Sequence, residues 1–321
     1  MTAMRYTAKK IVALLLTMVL VSLFVFIAFS LLSGDAAARL LGTEATPERM
    51  ASLRAELGLD RPMAARYLSW LAGMLRGEMG TSYIYRLPVS QMIAERVRAT
   101  LTLSVMAFLL IVLVSIPLGV LTAKYAGGWL DRVVTVLGQL LMSVPPFFTG
   151  ILFTYLFGLV LRCFVPGAFP AWEDGAAAYL AYLFFPALAI ALPRIAMTVR
   201  LLRGCILEEA RRDYVRTSMS RGRSRGDILY RHVLKNTLVP LVTFLAMTAA
   251  EIVAGSVIIE QVFSIPGIGR LLVSAISNRD APIVQAVVTI AAFWVVLCNV
   301  LGDLLGRRID PRLRGGEGGE A

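Results

Sequence analysis

The chain has few of the residues on which most enzymes and metal sites depend. It holds one histidine and three widely spaced cysteines, Cys163, Cys205 and Cys298, among 321 residues. This scarcity excludes a His-rich or Cys-rich metal cluster and a disulfide framework. The sequence has no HExxH motif and no credible Ser/His/Asp set. We therefore expect a non-catalytic protein with no metal site and no cofactor.

Charge is also scarce. Charged residues make up 17% of the chain and hydrophobic residues 58%, and the mean hydropathy is +0.74. A soluble domain has about a quarter charged residues, so this composition predicts an integral membrane protein. The net charge of +11 is concentrated beside apolar segments and at the termini rather than on one soluble face. Nucleic acid is therefore not an expected partner.

A phosphate-binding loop is missing as well. No GxxxxGK[ST] occurs, and none of the four lysines follows a glycine. The chain therefore lacks the usual means of cradling nucleotide phosphates, and ATP-driven transport would require separate ATPase subunits.

Six apolar segments are long enough to cross a bilayer as helices, at about 1.5 Å per residue. They cover residues 11–32, 101–123, 133–161, 178–202, 238–259 and 283–305. The first exceeds the roughly 7 to 15 apolar residues of a signal peptide, so we interpret it as an anchor, with cleavage after GDAAAR as the alternative. Prolines inside several spans indicate helices that line a pathway or pack together, or helices that are merely bent. These prolines are Pro117, Pro145, Pro146, Pro186 and Pro193.

Basic residues beside the spans predict the orientation. Arg5, Lys9 and Lys10 precede the first span, and Arg307 and Arg308 follow the last, which places both termini in the cytoplasm. The predicted divisions are a cytoplasmic N-terminus with the first span (1–32), an extracytoplasmic cap of short helices (33–98), a five-span core (99–306) with a cytoplasmic loop at 203–237, and a cytoplasmic tail (307–321).

The most structured loop lies between the fourth and fifth spans. Residues 208–221 contain neither Gly nor Pro and predict a helix that ends at Gly222. Ser224 and Asp227 resemble a capping box that opens a second helix. Because a connector needs only a few residues, this helix-Gly-helix hairpin predicts a docking surface. The alternative is that its arginines only supply the positive-inside signal.

Residues of this loop resemble the cytoplasmic coupling loop of ABC importer permeases of the dipeptide, oligopeptide and nickel branch. The matching residues are Asp213-Tyr214-Val215-Arg216-Thr217, Gly222, His232, Asn236 and Pro240-Leu241-Val242-Thr243. Ser218 and Ser220 stand where the family usually has alanines, and both remain small. Further matches are Gly34-Asp35, residues 57–62, residues 77–80, Phe263, Pro266-Gly267-Ile268-Gly269-Arg270, Asn278-Arg279-Asp280 and Asp310-Pro311-Arg312. Ser33 and Ala36 stand where prolines are common.

The resemblance implies an all-α integral membrane fold of six transmembrane helices, the type I ABC importer permease fold, with a small helical extracytoplasmic cap after the first span. It implies a subunit of the cell inner membrane that works with a second permease, two ABC ATPase subunits and an extracytoplasmic solute-binding protein. The expected solutes are dipeptides or oligopeptides, with nickel or a metal chelate as the alternative. A secondary transporter or channel is the alternative from another class, but such folds commonly show internal repeats and several intramembrane charges.

Three groups of site residues follow from the resemblance and the pattern. The ATPase-coupling residues are Glu209, Asp213, Tyr214, Val215, Arg216, Thr217, Ser218, Ser220, Gly222, His232, Asn236 and Pro240. The translocation-pathway residues are Glu251, Gly255 and Asn299. The outer-loop residues are Phe263, Pro266, Gly267, Gly269, Arg270, Asn278, Arg279 and Asp280.

Glu251 is the acidic residue that the pattern places well inside a span. A carboxylate there costs about 2.5 to 3.5 kcal/mol on insertion scales, so it should face a polar partner or a wet pathway. Two interpretations stay open: a pathway residue that meets a cationic solute, and a hydrogen-bonded glutamate that joins two helices. One carboxylate without nearby histidines is a poor selective nickel site.

Overall fold

The computed structural model describes residues 3–32, 36–41 and 46–309. Gly34-Asp35 and Asp310-Pro311-Arg312, which carry part of the family resemblance, lie outside the described residues, as does Ser33, which departs from the family pattern. In the described ranges the chain is helical, and one isolated antiparallel bridge joins Thr81 to Pro88. The helices are α1 (Ala3–Leu32), α2 (Ala36–Leu41), α3 (Pro47–Glu56), α4 (Met63–Leu75), α5 (Val89–Lys124), α6 (Trp129–Ser143), α7 (Pro146–Phe153), α8 (Ala176–Glu209), α9 (Asp213–Ser220), α10 (Arg225–Ile228), α11 (Leu234–Val262), α12 (Ile268–Ser277) and α13 (Ala281–Ile309). A π-helical stretch continues α7 over Thr154–Val160, another joins α10 to α11 over Leu229–Val233, and a 3-10 turn covers Trp172–Asp174.

Within the described residues, five helices are long and apolar enough to cross a membrane. They lie in α1, α5, α8, the continuous segment from Gly226 to Val262, and α13. A sixth span is obtained when α6 and α7 with its π-helical continuation are counted as one. The predicted count of six is therefore reached, but one of the six spans is bent.

The third span departs from the prediction of one helix over residues 133–161. Its two halves, Trp129–Ser143 and Pro146–Val160, are bent by 97°. Val144 and Pro145 both have extended backbones, with ψ of 122° and 142°. A proline disfavours the helical conformation in the residue before it, so consecutive prolines at 145 and 146 hold both Val144 and Pro145 out of the helix.

The chain forms two compact units. The first takes its described residues from 1–7, 101–265 and 295–321. In this unit, apolar side chains of α5, α8, α9, α10, the π-helical stretch after α10, and α11 form a buried cluster, whose members are Val120, Ala123, Leu202, Ile206, Val215, Ile228, Val233 and Leu241. The second unit takes its described residues from 8–100 and 266–294. Its buried cluster is Val89, Met92, Ile93, Leu271, Ala275, Ile283, Val284, Ala286 and Val287.

An ion pair between the buried Asp131 and the half-buried Arg203 ties α6 to α8 in the first unit. Arg203 donates from Nε to Asp131 Oδ1 at 2.6 Å and from Nη2 to Oδ2 at 2.7 Å. The Gly127 amide donates to the same carboxylate at 2.8 Å. Such a bidentate pair fixes orientation as well as distance. Asp131 and Arg203 are 72 residues apart, and no sequence pattern marked either of them.

Glycines bring α11 and α13 into close contact. A Cβ added at Gly302 would lie 2.5 Å from the Ala246 Cβ, and one at Gly306 would lie 3.5 Å from the Thr243 hydroxyl. Gly302 and Gly306 form a GxxxG pair, which lets helix backbones approach closely. Because Gly302 meets Ala246 and Gly306 meets Thr243, the two helices run antiparallel.

Candidate functional site

The predicted helix from Glu208 to Arg221 is wrong as a single element, because the chain turns at residues 210–212. Helix α8 ends at Glu209, and α9 begins at Asp213 after an extended Arg212. No Gly or Pro marks this break. Asp213 lies in the first turn of α9, where a negative charge is favourable beside the helix N-terminus.

A polar network formed by Glu209, Tyr214 and Asn236 holds this turn. Tyr214 donates its hydroxyl to Glu209 Oε1 at 3.1 Å, and Asn236 Nδ2 donates to the same oxygen at 2.9 Å. The Asn236 amide also donates to the Tyr214 hydroxyl at 3.3 Å. Burial, followed by the hydrogen bond to Glu209, raises the pKa of Tyr214. Three sequence-predicted residues thus meet in one network that joins α8, α9 and α11.

An apolar contact fixes the other side of α9. Val215 is buried in the cluster with Leu202 and Ile206 of α8, and Tyr214 packs against that cluster. The remaining predicted residues of α9 lie toward its surface. Asp213, Arg216, Thr217 and Ser220 are exposed, and Ser218 is half-buried. The Ser218 and Ser220 hydroxyls donate to carbonyls one turn back, at 2.8 and 3.1 Å.

Gly222 ends α9 as predicted, with a positive φ of 78°. Its amide donates to the Met219 carbonyl, and the Arg223 amide donates to the Ser218 carbonyl, which is the Schellman pattern. The Ser224 hydroxyl then accepts from the Asp227 amide at 3.2 Å and caps α10. The helix-Gly-helix arrangement is therefore confirmed, with a first helix shorter than predicted. We call residues 213–233 the α9–α10 hairpin.

His232 and Pro240 lie where the hairpin leads into α11. His232 Nε2 is 2.6 Å from Nη1 of Arg223, so it links the second part of the hairpin back to the turn. Pro240 is exposed inside α11. A proline there removes the hydrogen bond that its amide would otherwise donate to the carbonyl one turn back.

Glu251 forms an ion pair with a residue that the sequence analysis passed over. Its Oε2 contacts Nη1 of Arg194, and the pair joins α11 to α8. The Arg194 side chain is 30% exposed and the Glu251 side chain 48% exposed. The sequence signal for this pair was Arg194 itself, an arginine inside the otherwise apolar segment 178–202. The glutamate thus joins two helices, yet it also remains accessible from outside the unit.

Gly255 and Asn299 lie near this pair along the helix axes. Gly255 is one turn beyond Glu251 on α11, and apart from its chain neighbours and its own helix backbone, no described atom lies within 4 Å of a Cβ added there. Asn299 precedes Gly302 by three residues, so the antiparallel contact of Gly302 with Ala246 places it at about the level of Ala249. Both Gly255 and Asn299 are exposed.

The predicted outer-loop residues are divided between the two units. The fifth span was expected to end at residue 259, but α11 continues to Val262, and Glu260 is completely buried. In the first unit, Phe263 is buried and its carbonyl accepts from the Tyr182 hydroxyl at 2.7 Å.

The other outer-loop residues surround α12 in the second unit. Gly267 precedes the helix and Gly269 is buried within it, whereas Pro266 and Arg270 are exposed. Asn278 and Arg279 are exposed at its end, where Arg279 has a positive φ of 51°.

Asp280 is a structural anchor in the second unit. Its carboxylate is fully buried and accepts from the Ser82 hydroxyl at 2.5 Å and from the Tyr83 and Ile84 amides at 3.2 and 3.3 Å. A fully buried carboxylate needs hydrogen-bond partners such as these. Asp280 therefore holds the segment after Thr81 against the junction of α12 and α13.

Among the described residues, no group of three or more His, Cys, Asp or Glu side chains could hold a metal ion.

The helical, multi-pass architecture and the anchored hairpin between two spans are features of a membrane permease. Residues 115–315 match the family described as "Binding-protein-dependent transport system inner membrane component", and residues 3–104 match its N-terminal component. The chain belongs to this family of ABC importer permeases.

Curated relatives match almost the whole chain. A probable peptide ABC transporter permease of Sinorhizobium fredii is 37% identical over 309 residues, which cover 96% of this chain and 99% of the relative. A putative peptide transport system permease of Brucella abortus is 37% identical over 306 residues, covering 95% and 98%. A glutathione transport system permease of Salmonella choleraesuis is 30% identical over 311 residues, covering 97% and 99%.

A solved structure of the methionine ABC transporter MetNI in inward-facing conformations has a similar fold. The TM-score is 0.56 at 17% identity, with 68% of this chain and 97% of the other covered. The expected type I importer permease fold is thus confirmed. The family also overturns the alternative of a secondary transporter or channel.

Proposed function

We propose that the chain is the membrane-spanning subunit of an ATP-driven importer of dipeptides and oligopeptides. It receives solute from an extracytoplasmic binding protein and passes it to the cytoplasm. The observation that carries this proposal is the anchored α9–α10 hairpin, whose exposed face is available to a partner while its other face is fixed to the spans. The relatives named for peptide and glutathione transport support the solute class.

The hairpin is well placed to transmit a movement. Glu209 and Asn236 attach α9 to the end of α8 and the start of α11. The same two helices carry Arg194 and Glu251. A displacement of α9 by an ATPase subunit would therefore act on both spans that carry the central charges, through contacts that are continuous in the first unit.

The proposed partners follow from what the chain lacks. Without a phosphate-binding loop it depends on separate subunits for ATP hydrolysis. We expect two such ATPases, a second permease and a solute-binding protein. In the proposed orientation, both termini and the α9–α10 hairpin are cytoplasmic and the segment 33–98 is extracytoplasmic. Cysteines placed in that segment should react with an impermeant thiol reagent from outside, and cysteines near Arg223 only after permeabilisation.

The test is reconstitution with the three kinds of partner in liposomes. We expect ATP-dependent uptake of a labelled dipeptide that requires the binding protein. A complex without the permease is the control. Uptake of nickel or a metal chelate in place of peptides would contradict the assigned solute, and ATP-independent uptake would contradict the assigned mechanism.

A further inference from the structure

Arg194 and Glu251 lie well inside two adjacent candidate membrane spans, in α8 and α11. Glu251 is 11 residues before the end of α11, and Arg194 is 15 residues before the end of α8. At 1.5 Å per residue, each charge is thus about 16 Å or more from that end of its helix. Each charge alone would cost about 2.5 to 3.5 kcal/mol at such a depth. Pairing makes the site neutral and reduces that cost.

The pair is not enclosed by the unit that carries it. Its side chains are 30% and 48% exposed, and Gly255 leaves open space one helical turn from Glu251. A pair that serves only to join helices has no need of this accessibility. Arginine has five N–H donors and a carboxylate accepts through two oxygens, so both groups retain capacity for another ligand.

We propose that Arg194 and Glu251 together form a recognition site for the two charged ends of a short peptide. This inference rests on the proposed function and specifies how the pathway meets its solute. The Arg194 guanidinium binds the C-terminal carboxylate, and the Glu251 carboxylate binds the α-ammonium group. One ion pair is replaced by two, with no transfer of protons or covalent bonds. Because the peptide is a zwitterion, the net charge of the site stays zero.

The geometry also sets a length preference. An extended dipeptide spans at most about 7 Å and a tetrapeptide about 14 Å, at roughly 3.3 to 3.6 Å per residue. Arg194 and Glu251 start in direct contact, so only short peptides reach both side chains after a modest separation. We therefore expect dipeptides and tripeptides to use both charges, and longer extended peptides to use one.

The test measures peptide binding directly, because the binding protein makes its own selection among peptides. The assembled permeases and ATPases, in nanodiscs without the binding protein, are titrated with three labelled probes by saturation-transfer NMR. The probes are a dipeptide with free ends, its C-terminal amide and its N-acetyl derivative. Arg194→Gln should weaken binding of the free and N-acetyl probes about tenfold, since one charged hydrogen-bonding partner is lost, and should not weaken binding of the amide. Glu251→Gln should weaken binding of the free and amide probes and should not weaken binding of the N-acetyl probe.

A second variant keeps the test decisive if a single change impairs assembly. The double variant Arg194→Gln with Glu251→Gln leaves no unpaired charge, and we expect it to bind all three probes equally. Equal losses for all probes in each assembled single variant would overturn the proposal. So would a double variant that still distinguishes the probes as the wild type does, or a wild type that binds none of them. Absence of peptide uptake by the wild-type complex would instead refute the proposed function.

Discussion

Replacement of Gly222 tests whether the turn after α9 is needed for coupling. Gly222 has a φ of 78°, which residues with a Cβ adopt at a cost of roughly 1 to 2 kcal/mol. Apart from its chain neighbours, no atom of the described chain lies within 4 Å of a Cβ placed there, so the cost of Gly222→Ala is backbone strain and not a clash.

The magnitude follows from that strain. In the Gly222→Ala variant, we expect the undocked hairpin to relieve the strain by relaxing the turn, whereas the docked hairpin must keep the positive φ. A cost of 1 to 2 kcal/mol then lowers the apparent affinity for the ATPase subunit by roughly 5- to 30-fold. Gly222→Val should lose more, because a β-branched side chain tolerates a positive φ poorly.

The assay is binding of the purified ATPase to permease in nanodiscs, together with uptake and stimulated ATP hydrolysis. Gly226→Ala is the matched control: Gly226 lies four residues away in α10, has comparable open space and is not among the residues with positive φ. Membrane insertion should be unchanged in both variants. Normal ATPase binding and coupling in Gly222→Val would refute the reasoning.

Three further predictions concern the first unit. Asp131→Asn removes the charge that faces the half-buried Arg203, so we expect about 1 to 3 kcal/mol of destabilisation, measured by thermal unfolding in detergent; an unchanged midpoint would contradict this ion pair. Gly302→Ala should destabilise the contact of α11 with α13, because the new Cβ would lie 2.5 Å from the Ala246 Cβ. Gly204→Ala should not be destabilising, because a Cβ at that position meets open space. Equal midpoints of thermal unfolding for the two variants would contradict this packing. The raised pKa of Tyr214 means that the folded protein holds the phenolic proton more firmly than the unfolded chain does. The stability that its hydrogen-bond network contributes should therefore be constant below about pH 10 and decrease above it. Hydrogen exchange of α9 amides should show this decrease, and Tyr214→Phe should abolish it.

The sequence predicted those features that depend on local composition. Hydropathy located the six spans, and a glycine after a run of helix formers located the positive φ at Gly222. Both predictions succeed because the residues that determine the feature lie within a few residues of it. The bend of the third span has the same local basis in Pro145 and Pro146, but the sequence analysis treated those prolines as compatible with one helix.

The features that were missed depend on residues far apart in the chain. The break between α8 and α9 has no local signal, since it is held by Asn236, 27 residues after Glu209. The role of Arg194 becomes apparent only when α8 packs beside α11, because Arg194 then forms its ion pair with Glu251. The GxxxG pair at Gly302 was visible in the sequence, but its partner at Ala246 was not.

Cross-linking of the α9–α10 hairpin tests the central claim most directly. In a chain with Cys163, Cys205 and Cys298 replaced, single cysteines are introduced at Ser220, on the exposed part of α9, and at Ile84, an exposed position in the other unit. With a short bifunctional thiol reagent and an ATPase subunit that carries cysteines around its docking groove, we predict that Ser220→Cys forms a cross-link and Ile84→Cys does not. Efficient cross-linking at Ile84 with none at Ser220 would contradict the account.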